Sequence, residues 1–553
     1  MIVGGGIFGI CAAWDAVLRG LSVALLERAD FAHAASANCF KMIHGGIRYL
    51  QHGDIPRLRK SAAERSAFLR IAPHLARPLP IFVPTYGHGI KGKQILAAGM
   101  KVYDLLTADR NRGIRDPERW IPATRTLGRE AALALYPFLD APGFTGGAIF
   151  HDGQMHHPAR LAVSVLLSAT ARGALAANYA EVTELVCANG AVRGVRVRDT
   201  LDDREYEVRG RAVLNTTGGW APGFLARAVS RPLDPAPTFS RDACFIVRRQ
   251  IPGPFALAVS GSTRDPDAIM SRDARHLFLV PWRGHTLVGV WHVVYDGDPA
   301  EARVSEADLR GFLAEINDAC PWLELRREEV ALTQCGLVLF GENRGGSSDL
   351  SYGKRSLLVD HERTDGLRGL LTLVGVRYTT ARAEADRAVR AVCRKLGWKA
   401  PRSRTASLPI HGGDLADFAA FERDALRDRP AAVPADSFRA LLRNHGSEYR
   451  RVLEHGRRDA GLLSRLPGSD TLRAEVVHAV REEMAVRLED VVFGRTDAGT
   501  AGDPGAEALA AATELMAAEL AWDASRCRKE LERTRAAFPG SPARASTPLP
   551  EAR

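Results

Sequence analysis

The first residues able to do chemistry come at the start of the chain, where Gly4, Gly6 and Gly9 set a G-x-G-x-x-G spacing directly after Met1-Ile2-Val3. An amphipathic helix follows through Ala12, Ala13, Ala16 and Leu18. Gly20-Leu21 makes a turn, and Ser22-Val23-Ala24-Leu25-Leu26 reads as a second buried strand ending in Glu27. In such a unit the first glycine allows the tight turn and the second lets a pyrophosphate approach the backbone. The third lets helix pack against strand. Phosphates then meet the free N–H groups and positive end of the helix. Glu27 lies where a carboxylate can accept hydrogen bonds from an adenosine ribose. The sequence therefore predicts a dinucleotide site. With only three residues before Gly4, it also predicts either an unusually short first strand or a start further upstream.

The elements that must position this site alternate in type. Helical patterning covers residues 56–69 and 95–106, with a basic, loop-rich stretch over 109–120. Pro158 opens a helix, where its missing N–H costs nothing. Residues 181–198 read as a hairpin turning at Asn189-Gly190, and 205–211 as a further strand. Residues 212–220 form a buried strand ending in the turn Gly218-Gly219-Trp220, which returns the chain to the nucleotide unit. Strands are expected over 244–247, 276–280, 286–293, 330–339, 357–360 and 370–374, with helices over 307–319 and 379–396. This gives an α/β nucleotide domain over 1–400, interleaved with an antiparallel substrate sheet drawn from about 70–150 and 235–345. A helical domain over 401–535, read as a packing or oligomerisation module, and a disordered tail over 536–553 complete it.

Composition narrows the classes. Of 553 residues, 46% are hydrophobic and 25% charged, as in an ordinary globular protein of two or three domains. Lys plus Arg number 75 against 65 Asp plus Glu, a formal +10 spread along the chain. That charge suits an anionic substrate or peripheral contact with an anionic membrane face, and no motif for nucleic acid accompanies it. The eight cysteines form no C-x-x-C pair, which points to a reducing, cytoplasmic setting without disulfides. Neither a signal peptide nor a spanning helix is read. Adjacent His156-His157 would point to opposite faces of a strand, so they are read as a solvated turn and no metal site is expected.

The segment Lys41-Met42-Ile43-His44-Gly45-Gly46-Ile47-Arg48-Tyr49-Leu50 is the most distinctive. Together with Gly4 to Gly9, Val288-Gly289 and Tyr295-Asp296-Gly297-Asp298-Pro299, it resembles the FAD-dependent glycerol-3-phosphate dehydrogenases and their oxidase relatives. Leu488-Glu489-Asp490-Val491-Val492-Phe493-Gly494-Arg495-Thr496 and Leu520-Ala521-Trp522-Asp523 resemble that family's last domain. The resemblance implies a glutathione-reductase-like, D-amino-acid-oxidase-type fold with FAD as cofactor. It implies that Ser36, Ala37, Lys41, His44, Gly45 and Gly46 line the flavin, with Arg28 binding the cofactor alongside the glycine turn and Glu27. Val182 would meet the adenine, Gly218 and Trp220 would close on the dinucleotide, and Gly375, Arg377, Tyr378 and Thr379 would approach the far edge of the ring. Gly45-Gly46 can bring backbone against a planar ring where a Cβ would clash. Gly375 ends a buried strand at a helix N-terminus, whose positive end can stabilise negative charge on the ring.

On the substrate side the chain departs from the family pattern. Leu337 stands where a G-x-R-P motif carries arginine, and Cys244 where a histidine is expected. Gly289-Val290-Trp291-His292 replaces G-T-T-D, Gly375-Val376-Arg377 replaces G-G-K, and Cys39-Phe40 replaces a serine pair. Leucine offers a phosphate none of arginine's forked donors. Phe40, Trp291 and Leu337 would make the pocket more apolar or aromatic. These changes favour an enzyme that removes hydride from an alcohol or amine of a specialised, secondary-metabolite type. Glycerol 3-phosphate oxidation and a catalytically decayed flavin-fold protein stand as alternatives. His44 and His292 are the first candidates for proton acceptor, since imidazole titrates near working pH, with His156 and His157 next; His292 reads equally well as a structural sheet residue. Arg377 or Lys41 could hold an anion. The electron acceptor is read as quinone or oxygen, and a homodimer is compatible with the chain.

Overall fold

A computed structural model describes residues 1–87, 93–229, 233, 237–264, 274–340 and 355–539. The first strand, Ile2–Val3, lies between two parallel neighbours, pairing Ile2 with Leu25 on one side and Leu214 on the other. The six-stranded sheet runs in the order 357–360, 370–374, 213–215, 2–3, 24–26, 175–177. Its core strand Leu370–Val374 is buried at every residue, the continuous apolar pattern of a strand covered on both faces. Helices Ile7–Leu18 and Ala381–Lys395 pack on it through Ala12, Ala13, Ala385 and Ala388, small residues that allow close approach.

Gly4 connects the first strand to helix Ile7–Leu18. Its φ is +100°, and a Cβ there would lie 2.8 Å from the Thr216 carbonyl oxygen. Only glycine meets both demands.

The hairpin over 180–199, joined by Glu205–Arg209, forms a separate three-stranded sheet. A nine-stranded sheet carries the other wall of the site. Its path is 330–340, 238–247, 285–295, 274–282, 256–264, 76–86, 144–155, 42–43, with 125–128 paired to 144–155. Two of its longest strands, Ala76–Tyr86 and Phe144–Met155, were not expected from the sequence.

The C-terminal helices do not stand apart. Leu488, Val491, Met516 and Phe538 share one buried cluster with Ile246, Val280 and Trp282 of the large sheet. Phe538 therefore belongs to the core and not to a disordered tail; the rest of the predicted tail, 540–553, lies outside the described residues. Two buried ion pairs fasten the helical region to the rest. Arg495 donates twice to Asp30, at 2.7 Å each. Asp497 lies 2.9 Å from Arg283 Nη1 and 3.1 Å from His156 Nε2.

Burial works against charge on Asp497, but Arg283 and the two histidines outweigh it and hold its pKa well below the usual carboxylate value. The stability it contributes is thus present above about pH 4 and lost as pH falls toward its folded pKa. Asp497→Asn strands the Arg283 charge and is expected to destabilise the protein by about 3–5 kcal/mol at pH 7. Thermal denaturation should show the gap from wild type closing below about pH 4. A pH-independent gap would contradict this assignment.

Candidate functional site

Between the six-stranded and nine-stranded sheets lies a cavity of about 1070 Å³. Helix Ile7–Leu18 begins at Gly6 without a side-chain cap, and Gly4, Gly6, Ile7 and Phe8 line the cavity. The Glu27 carboxylate, also on the wall, is fixed by the Gly5 N–H at 2.6 Å and the Ala29 N–H at 2.9 Å. Ser36 Oγ accepts from the Ile7 N–H at 3.0 Å. Arg28 stacks over Trp220 at 4.7 Å, and Gly218 and Val182 complete this part of the wall. A helix N-terminus beside Ser36, a held carboxylate and a glycine turn on the cavity wall together fit an adenine dinucleotide.

His44, Gly46, Gly375, Arg377, Tyr378 and Thr379 line the same cavity. Gly46 has φ +82°, and a Cβ there would come within 2.8 Å of Ser61. The His44 N–H donates to Thr379 Oγ1 at 2.9 Å, joining two segments more than 300 residues apart. His44 Nδ1 lies 3.1 Å from Asp152 Oδ2, and the Gly45 N–H donates to Asp152 Oδ1 at 2.6 Å. Burial pushes the Asp152 carboxyl up, but its bonds to His44 and Gly45 and the Arg65 charge leave it below the usual value. His44 is thereby fixed as a dyad with a buried carboxylate.

Several expected residues are not on the wall. Gly9 packs against Gly4, its position forced by a 2.0 Å approach of the Gly4 carbonyl to any Cβ. Ala37 packs into the core beside the helix Ile7–Leu18, and Gly45 faces Arg65 and Tyr103. Lys41 adopts φ +57°, which turns its side chain into the large sheet. There its Nζ donates to Gln334 and lies 4.8 Å over Trp282, and burial lowers its pKa. Trp291 is also turned away, stacked between Phe245 and Phe312. His292 does reach the wall, held to Asp242 at 2.7 Å, with Ser240 on the same carboxylate oxygen at 2.6 Å. His156 and His157 are not a solvated turn: both approach Asp497, and His157, almost wholly buried, is pushed down to about 3 by that burial.

The sequence reading named Arg377 but missed the cations that share this wall with it. Arg48, Tyr49, His52 and Arg57 line the cavity with Arg377. The guanidinium groups of Arg57 and Arg377 each lie 4.8 Å from the Tyr49 ring. Arg377 is half-buried; its partial removal from water lowers its pKa, and the Arg57 charge adds to that effect. The signal was present in the motif around His44, since Arg48 and Tyr49 belong to it. Leu337 lines the cavity as expected and also packs against the Gly219 turn, where its apolar side chain joins the two sheets.

This architecture, with a glycine-turn nucleotide sheet facing a large antiparallel sheet across one cavity, is that of an FAD-dependent oxidoreductase. Residues 1–353 match the family model described as FAD dependent oxidoreductase, and residues 403–527 match the C-terminal domain of alpha-glycerophosphate oxidase. A glycerol-3-phosphate dehydrogenase of Synechocystis is 29% identical over 544 residues, 96% of this chain and 95% of that one. The human mitochondrial glycerol-3-phosphate dehydrogenase is 30% identical over 97% of this chain and 72% of its own. The solved Bacillus halodurans glycerol-3-phosphate dehydrogenase, complexed with FAD, superposes with a TM-score of 0.74 at 23% identity, covering 97% of this chain and 93% of its own. The chain belongs to the FAD-dependent glycerol-3-phosphate dehydrogenase family, and its cofactor is FAD.

The expectation of a specialised, less charged substrate is overturned. Relatives matched over nearly the whole chain are glycerol-3-phosphate dehydrogenases. The loss of one arginine at position 337 does not strip the cavity of guanidinium groups, because Arg48, Arg57 and Arg377 line it.

Gly4→Ala should abolish FAD retention, since the added methyl meets the Thr216 carbonyl and the φ of +100° is lost to strain. The purified variant is expected to be colourless, with circular dichroism close to wild type. A variant that retains stoichiometric flavin would contradict this assignment.

Proposed function

We propose that this chain oxidises glycerol 3-phosphate at its secondary carbinol to the corresponding ketone. The observation that carries the reading is the set of guanidinium groups of Arg48, Arg57 and Arg377 on the wall of the cavity, two of them against Tyr49. Bound FAD supplies the two-electron acceptor for a hydride leaving a carbinol carbon.

The chain's own groups do the rest. Arg48, Arg57 and Arg377 hold the phosphate by charge-assisted hydrogen bonds, each contributing about 1.5–3 kcal/mol. His44 takes the hydroxyl proton. Its Nδ1 is committed to Asp152, so Nε2 is the nitrogen left to act, and the carboxylate stabilises the imidazolium that forms. Phe40, Phe278 and Val290 give the cavity an apolar wall that keeps water from the reacting carbon. His292, bonded to Asp242, positions the strand His285–Tyr295 and is a second candidate for proton transfer. The acceptor that returns the enzyme to its oxidised state is a quinone or oxygen. No helix among the described residues is long and apolar enough to cross a membrane.

Arg48→Met or Arg377→Met is expected to raise KM for glycerol 3-phosphate about 10- to 150-fold, with little change in activity on unphosphorylated glycerol. An unchanged KM in both variants would overturn the phosphate assignment. His44→Asn should instead lower kcat about 10²- to 10⁴-fold and leave KM close to wild type. Peroxide release measured against reduction of a quinone analogue decides the acceptor.

A further inference from the structure

Outside the cavity, an unusual set of donors meets between the C-terminal helices. His445 ends the helix Ala435–His445, while His478 and Glu483 lie on the helix Arg473–Glu483. One donor atom from each lies within 4.8 Å of the others, and all three residues are buried. Neither ring nitrogen of His445, nor Glu483 Oε1, has a hydrogen-bond partner among the described residues. His478 Nε2 lies 3.6 Å from Glu483 Oε1, and His445 Nε2 lies 3.6 Å from Glu475 Oε1. An N–H···O bond is shorter, about 2.7–3.2 Å. Two ligand atoms each about 2.0–2.1 Å from a tetrahedral ion are separated by roughly 3.3 Å, close to the 3.6 Å between His478 Nε2 and Glu483 Oε1.

The remaining atoms are held from outside. His478 Nδ1 faces His455 Nε2 at 3.4 Å, and Glu483 Oε2 accepts from Arg160 Nη1 at 2.5 Å. Contacts of this kind orient metal ligands.

We propose that His445, His478 and Glu483 bind a divalent transition ion. Two imidazoles with carboxylate oxygen favour zinc. None of these residues lines the cavity, so the site is structural. It ties the two helices together and, through Arg160, joins them to the helix Pro158–Thr170 of the nucleotide region.

The test uses the full-length flavoprotein, stripped with a chelator and titrated separately with Zn²⁺ and Co²⁺. Expected are one zinc per chain by elemental analysis, a thermal midpoint raised by a few degrees with zinc, and visible bands of tetrahedral Co²⁺. His445→Gln and His478→Gln should lose all three with flavin content unchanged. Absence of a Co²⁺ band and of a midpoint shift in the native chain would overturn the proposal, leaving a hydrated polar cluster. So would metal binding that survives both substitutions, which would assign the ion to other groups such as the free cysteines.

Discussion

Positive charge gathered on one wall of a largely apolar cavity is the constraint around which the site is organised. Arg57 and Arg377 both lie against the Tyr49 ring, and Arg48 precedes it in the chain. Guanidinium groups in such a setting attract a phosphate more strongly than they would in water, because the surroundings screen less. The backbone brings them there by two routes. The turn at Gly46 leads into the helix Ile55–Ile71, whose first turn is capped by Asp54 accepting from the Arg57 N–H at 3.1 Å. Arg377 follows the buried strand Leu370–Val374 of the other sheet. The His44 to Thr379 hydrogen bond fixes the two routes to each other.

Buried ion pairs carry this logic beyond the cavity. Arg495 with Asp30, and Arg283 with Asp497, connect the C-terminal helices to the nucleotide sheet and to the large sheet. Such pairs add little net stability over well-packed apolar groups, but losing one partner is costly. They therefore hold the regions in a defined arrangement more than they strengthen it. Hydrophobic packing of Val491, Leu488 and Met516 beneath the large sheet adds a contact of the ordinary kind.

The nucleotide half was legible in the sequence because its signals are local: glycine spacing, helix, strand and Glu27 all fall within 27 residues. The large sheet was not. Its strand Ala76–Tyr86 carries Pro78, Pro80 and Pro84, residues that ordinarily argue against a strand. Yet it pairs along nearly its whole length with Phe144–Met155. Lys41 misled because only its backbone angle, and not its neighbours in sequence, decides which way it points. Leu337 misled differently: it and four other departures from the family pattern point to an apolar pocket, but Arg48 and Arg57, distant from it in sequence, reach the same cavity. His445 and His478 sit 33 residues apart on different helices, a spacing with no local metal signature.

The most direct measurement mixes the oxidised flavoprotein anaerobically with glycerol 3-phosphate, and in parallel with glycerol, while following the flavin absorbance. The account predicts prompt loss of the oxidised band with the phosphorylated alcohol and almost none with glycerol at the same concentration. Equal bleaching by both, or none by glycerol 3-phosphate in protein that carries its full complement of FAD, would contradict it.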